Sequence, residues 1–312
     1  MTVMPGIKDV VWMVAGAAAL FLCMLVVLHF QEDQDPSAQL ALKARRLDLV
    51  VQMQADLASA SEAEKSAVLA TTDRDSQTLV GQARSASAKV DQGRRALEEL
   101  LTPDTLRGER ESLAQFTAAF ADLQRIDDEL LALAVKNTNV KAYALDFGPA
   151  AAALQEMNDA LTRLVTANAD ASEAKAILLL AFGAETSALR IQTLLPPHIA
   201  EEDDAKMDEL EKAMATDDAR ARENLTRLAA YPRLRSNVDL GTATAKYAEL
   251  SDLKAQILAL SRENTNVRSL SISLNQKRTA MRVCQAALAA LQQAIEAEPI
   301  AGITNGARVK PR

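Results

Sequence analysis

The side chains through which this sequence could do chemistry are two histidines, two cysteines and a few paired acids, and their spacing argues against the usual centres. His29 and His198 stand far apart, with no second imidazole or thiolate at the short spacing a zinc or haem site requires. Cys23 sits inside an apolar run and Cys284 stands alone in the rest of the chain, so no disulfide is expected within the body. HExxH, GxSxG and phosphate-cradling glycine loops are absent from the sequence. The acids Asp127-Asp128 and Glu201-Glu202-Asp203-Asp204 have the chemistry for proton transfer, yet in helical chains such groups usually line a solvated face or a helix N-terminus. Arg125, Arg190 and Arg227 are candidates for an anionic ligand only as any helical arginine is, the alternative being a surface ion pair. No enzymatic activity, metal or cofactor is expected.

One polar pattern does recur. Asn137-Thr138-Asn139-Val140, preceded by Leu131-Ala132-Leu133, returns as Asn264-Thr265-Asn266-Val267 after Leu258-Ala259-Leu260, 127 residues on. At the same offset Leu113, Phe120, Leu123, Ile126, Leu130, Leu154 and Leu164 meet Leu240, Tyr247, Leu250, Leu253, Ile257, Met281 and Leu291, so an apolar stripe is duplicated with the motif. Farther upstream Ser61-Glu62-Ala63 and Ser172-Glu173-Ala174 correspond at an offset of 111, which gives the second copy 16 more residues, expected around the Pro-Pro and acidic segment. The motif has two structural readings. As a turn, its amides and hydroxyls cap the next helix; as helix interior, Asn137 with Val140 and Asn264 with Val267 place a buried amide layer in each copy. A ligand-binding role for Asn137, Thr138, Asn139, Asn264, Thr265 and Asn266 requires that they converge on a cavity.

The elements that must position these groups are helical. The chain is rich in Ala, Leu, Glu, Lys and Arg, has 3% aromatic residues and shows apolar spacing of three and four, as in Leu113, Phe116, Phe120, Leu123, Ile126, Leu130 and Leu133. The expected fold is all-α: long antiparallel helices in two related bundles, 36–168 and 169–298, with a flexible tail over 299–312. Asp35-Pro36 starts the first helix, Thr71-Thr72-Asp73 is a candidate break, and Thr102-Pro103-Asp104 interrupts. Asp146-Phe147-Gly148-Pro149 marks a kink and Leu195-Pro196-Pro197-His198 a stop, with further helices over 200–230 and 235–298. A net charge of −7 leaves no basic footprint for nucleic acid.

Residues 10–30, VVWMVAGAAALFLCMLVVLHF, carry no charge, and roughly 20 apolar residues cross a bilayer core of about 30 Å. A transmembrane helix is expected there, with residues 1–9 as a cytoplasmic leader and the body outside, so the lipid bilayer is one partner. Ala15 and Ala19 permit close helix packing, a weak pointer to a homodimer or a membrane-protein partner.

A span leading straight into a long helix, followed by Glu64-Lys65-Ser66-Ala67-Val68-Leu69-Ala70-Thr71-Thr72-Asp73, by Leu130-Leu131-Ala132-Leu133 and by Asn137-Thr138-Asn139-Val140-Lys141-Ala142, resembles the four-helix-bundle sensing modules of bacterial chemoreceptors. The second copy, from Leu260 through Asn264-Thr265-Asn266-Val267 to Leu270, resembles them in tandem. The resemblance implies a periplasmic, inner-membrane sensor taking a small-molecule ligand and passing small helix shifts to the membrane. It departs in having no second span or cytoplasmic signalling domain after Glu298, which leaves a structural or interaction subunit of a membrane complex as the alternative.

Overall fold

The computed structural model describes residues 36–101, 105 and 107–300; the expected span over 10–30 and the residues from 301 onward lie outside them. Among the described residues there is no strand, and no helix is long and apolar enough to cross a membrane. The helices are α1 (Pro36–Val68), α2 (Asp73–Glu99), α3 (Arg107–Ala134), α4 (Thr138–Leu145), α5 (Ala151–Ala167), α6 (Ala174–Ala200), α7 (Asp204–Ala230), α8 (Val238–Glu263), α9 (Thr265–Ile272) and α10 (Arg278–Ala297). Single π-helical turns, Asp146–Ala150 and Ser273–Lys277, join α4 to α5 and α9 to α10.

The two π turns stand 127 residues apart, as the Asn-Thr-Asn motifs do, so the duplication extends to backbone conformation. Pro149, which has no N–H to donate, would explain the first turn. The second has Gln276 at the matching position and forms all the same. The turn therefore belongs to the repeated backbone and not to the proline.

By packing, the described residues divide into two compact units, one drawn from 36–57, 87–120 and 282–300, the other from 58–86 and 121–281. The first contains segments of α1, α2, α3 and α10, whose buried faces include Val50, Met53, Val90, Leu97, Phe116, Leu288, Leu291 and Ile295. Phe116 and Phe120 stack with ring centroids 5.5 Å apart. A β-carbon on Gly93 would come within 2.6 Å of Met53 Cγ, so the glycine permits the close approach of α2 to α1. Lys43 Nζ donates to the carbonyls of Glu296 (2.6 Å) and Glu298 (2.7 Å), fastening the end of α10 to α1.

In the second unit α5, α6, α7 and α8 form a four-helix bundle; α5 packs on α8 and α6, and α6 on α7. Short connections at 168–173, 201–203 and 231–237 set neighbours antiparallel. Met157, Leu161, Leu164, Ile177, Ile191, Leu225, Leu228, Tyr247, Leu250 and Ile257 fill its core. A smaller cluster joins Ala67 and Val68 of α1, Val80 and Ala83 of α2, Ile126 to Ala134 of α3 and Ile272 of α9. The fourth helix of each copy thus packs against the other copy: α5 on α6 and α8, and α9–α10 on α1 and α3.

Several sequence expectations change. Thr71-Thr72 does divide the first stretch into α1 and α2. The predicted stop at Leu195-Pro196-Pro197-His198 is displaced, because α6 carries both prolines in its last turn and ends at Ala200. Wholly buried Leu195, His198 and Ile199 hold that turn against the local cost of proline. Ser61-Glu62-Ala63 lies inside α1 whereas Ser172 and Glu173 form the turn before α6, so their likeness is not structural and the 16-residue insertion inferred from it is withdrawn. The helix expected over 235–298 is broken at Asn264. Phe116→Ala should remove a stacked, fully buried ring and lower unfolding free energy by about 3–5 kcal/mol, read from denaturant midpoints.

Candidate functional site

Asn137 and Asn264 are each a single residue in the left-handed region (φ 50° and 51°) between two helices, α3 and α4 in one case and α8 and α9 in the other. Asparagine tolerates this conformation where branched residues do not. Neither side chain caps its own following helix. The caps come from the other copy. Thr138 N–H donates to Thr265 Oγ1 and Thr265 N–H to Thr138 Oγ1, both at 3.1 Å. Asn139 N–H donates to Asn266 Oδ1 and Asn266 N–H to Asn139 Oδ1, again at 3.1 Å. The arrangement is isologous, each contact occurring twice about a local two-fold.

Side chains close the pattern. Asn139 Nδ2 donates to Asn264 Oδ1 at 2.8 Å, Asn266 Nδ2 to Asn137 Oδ1 at 3.0 Å, and the threonine hydroxyl oxygens lie 3.1 Å apart. Around the rim the symmetry breaks. Asn137 Nδ2 donates to the Asp73 carboxylate (3.2 Å) whereas Asn264 Nδ2 donates to the Glu201 carbonyl (2.6 Å). Hydrogen bonds from Lys141 and Asn137 hold Asp73 below the ordinary carboxylate range. All six residues singled out in the sequence are therefore brought together. The turn reading holds in part, since each asparagine breaks the helix in the left-handed region but the motif's oxygens cap the helix of the other copy; the helix-interior reading fails at that break, although Asn137 and Asn264 are buried as it required.

Beside this crossover, on α6, lies His198. Its Nδ1 is 2.8 Å from Ser261 Oγ and its Nε2 2.9 Å from Glu211 Oε1, while Ser261 donates to the His198 carbonyl. Burial lowers its pKa, with Glu211 opposing. Arg262 Nε donates to the same Glu211 oxygen at 2.7 Å. Between α7 and α8, Asp218 accepts from Arg222 Nε (2.8 Å), Tyr247 Oη (2.8 Å) and Lys254 Nζ (3.2 Å). Burial alone would raise its pKa; these three donors outweigh it and bring the group down to about 2.

Four acids that are buried or nearly so escape a reading of sequence alone. Glu64 and Asp127 both face Lys277, the last residue of the second π turn, at 3.1 and 2.6 Å. Glu109 forks onto Arg46 at 2.8 and 3.0 Å, with Glu298 on the other guanidinium nitrogen. Asp146, in the first π turn, receives Gln192 Nε2 at 3.2 Å, and its second oxygen is buried without a partner. One signal was available: at the 127-residue offset, Lys277 occupies the place of Ala150, a charge where the other copy has a methyl group.

Of the arginine candidates, Arg125 is exposed, Arg190 lies 3.8 Å from Asp217, and Arg227 borders an open cavity of about 260 Å³ with Leu180, Ala230, Tyr231 and Pro232. Among the described residues no cluster of three His, Cys, Asp or Glu side chains is disposed to hold a metal ion.

Residues 45–177 match the family described as a four helix bundle sensory module for signal transduction. No curated protein matches the chain. The match includes Asn137, Thr138, Asn139 and the first π turn; their counterparts at Asn264 and Ser273 lie beyond it.

Thr138→Val and Thr265→Val each keep the shape but orphan a backbone N–H of the other copy. Each should cost about 1–3 kcal/mol. A double-mutant cycle should show coupling of about 0.5–3 kcal/mol, and strict additivity would mean that the hydroxyls do not act as a pair.

Proposed function

We propose that this chain is a non-enzymatic sensory helical bundle. It is held in a bacterial inner membrane by residues 10–30, with its body in the periplasm, and takes a small-molecule ligand between helices. The observation that carries the reading is the match of residues 45–177 to a sensory four-helix module. The uncharged stretch over 10–30, ending five residues before α1 starts at Pro36, supports the anchor. The duplication at 127 residues supports a tandem of two such patterns. Signals leave as small helix displacements, through the anchor or through an associated receptor.

A second reading has its own support. Leu178, Leu179, Phe182 and Leu189 on α6 are exposed large apolar side chains, of the kind an assembly subunit turns toward a partner. The two readings separate in one experiment. Full-length protein in detergent is screened by thermal shift against amino acids and organic acids. A specific ligand at about 100 times its Kd should stabilise the fold by about 2.7 kcal/mol. If no compound raises the midpoint while a membrane protein co-purifies and is lost in Phe182→Ser, the sensory reading fails and the assembly reading stands.

A further inference from the structure

Where the fourth helices meet the helices that hold them, buried and half-buried carboxyls outnumber cations in three places among the described residues. Arg46 alone faces Glu109 and Glu298. Among the described residues Lys277 alone faces Glu64 and Asp127, at 3.1 and 2.6 Å. Asp146 has no cation at all, only the neutral amide of Gln192, whose own carbonyl oxygen is also buried without a partner. Each place holds one carboxyl more than its cations neutralise. An uncompensated carboxylate out of water is costly, and the cheapest remedy is a proton.

Among the described residues the neighbours whose contacts are known do not supply the missing charge. Lys43 is engaged by the carbonyls of Glu296 and Glu298. Asp128, next to Asp127, adds like charge. The cluster of α1, α2, α3 and α9 brings Ala67, Val80, Ala83, Ile126 and Ile272. Around Asp146 the buried cluster of α4, α5, α6 and α8 brings Ala142, Ala150, Ile191, Leu195 and Ile257, and the ionisable neighbour is Tyr143 on its own helix, whose phenol burial and the Asp146 charge together push up.

We propose that the proton is itself a ligand of this module, taken up at the surplus carboxyl of each of these three places so that α4–α5 and α9–α10 seat more firmly as the surroundings acidify. Its use as a signal rests on the sensory reading above, whereas the uptake is a property of the folded chain and stands apart from it. Burial raises Glu109, Asp127 and Asp146, the last to about 6 from 3.8. The folded chain then binds these protons more tightly than the unfolded one. The stabilisation is full below the unfolded pKa and is lost as pH rises through the folded value, for Asp146 between about 4 and 6. His198, lowered by burial, acts in the opposite sense, gaining stability as pH rises through its range, so the test compares variants rather than the wild-type curve alone.

Asp146→Asn carries the neutral form at every pH. In full-length protein its thermal midpoint should equal that of wild type below about pH 4 and exceed it by roughly 2–4 °C at pH 7.5, the gap opening between about pH 4 and 6. Infrared spectra of the wild type should contain the carbonyl stretch of a buried, protonated carboxylic acid that titrates near pH 6 and is missing from Asp146→Asn. A gap independent of pH, a variant less stable at pH 7.5, or wild-type spectra without a protonated carboxyl above pH 5 would each overturn the proposal. Failure to find a small-molecule ligand in the thermal screen leaves these outcomes unaffected.

Discussion

Everything in this fold follows from how a helix begins at Thr138 and at Thr265. The first amides of a helix have no acceptors within it and must find them elsewhere. Here each N-terminus is capped by the side chains of the other, Thr265 and Asn266 serving one and Thr138 and Asn139 the other. The link before each ends on one left-handed residue, which stands alone at Asn264 and follows the turn residues Val135 and Lys136 at Asn137. Helical hairpins reverse over two to five residues, so Asn264 by itself cannot fold α9 back along α8. The three residues 135–137 set no such limit on α4, whose place is fixed by the reciprocal caps. The fourth helix of each copy leaves its own copy and completes the other, held there by capping in both cases and by loop length in the second.

The exchange creates two docking problems, and the copies meet them differently. The helix α5 presents Ala153, Met157, Ala160, Leu161 and Leu164 to α6 and α8, an apolar face with Arg163–Asp239 and Glu156–Lys246 pairs on the outside. Exposed pairs of that kind contribute little, so burial holds the helix. For α9–α10 a larger share falls to ions, with Lys277 buried on Glu64 and Asp127, and Arg46 holding Glu298 at the end of α10 as well as Glu109 of α3. Buried ion pairs contribute little net stability because desolvation opposes attraction, yet losing one partner is expensive. Such contacts select a register: Lys277 has its acids at one position only, and a slip of the π turn by one residue would carry the ammonium away from both.

Much of this was legible in sequence, and the boundary between legible and hidden is physical. The stripe from Leu113 to Leu130 is buried as its spacing required, because a three-and-four period leaves a helix one apolar face. The Asn-Thr-Asn motif stood out because polar residues repeated within an apolar stripe need partners. Its partner was the other motif, and periodicity says nothing about which helices meet. Pro196-Pro197 misled for a related reason: local preference ends a helix there, and burial of His198 and Ile199, a tertiary effect, carries it on to Ala200. The buried acids were hidden most deeply. Asp127 reads from sequence as half of a solvated pair with Asp128, and only the arrival of Lys277 from 150 residues away shows that one lies inside and one outside.

The same geometry separates the segment that resembles a sensory module from the segment that can stand as a structure. Residues 45–177 contain α5 but only the first residues of α6 and none of α7 or α8, against which α5 is buried. Cut at 177, Met157, Leu161 and Leu164 would lose their cover, a cost of about 1.5–3 kcal/mol for each side chain returned to water. The caps on Thr138 and Asn139 would go as well, since Thr265 and Asn266 supply them. The family pattern therefore describes a stretch of chain, whereas the cooperative unit takes helices from both copies. A displacement of α4–α5 is felt directly by α6 and α8 of the second copy, on which α5 is buried, and by α9, with which α4 exchanges caps.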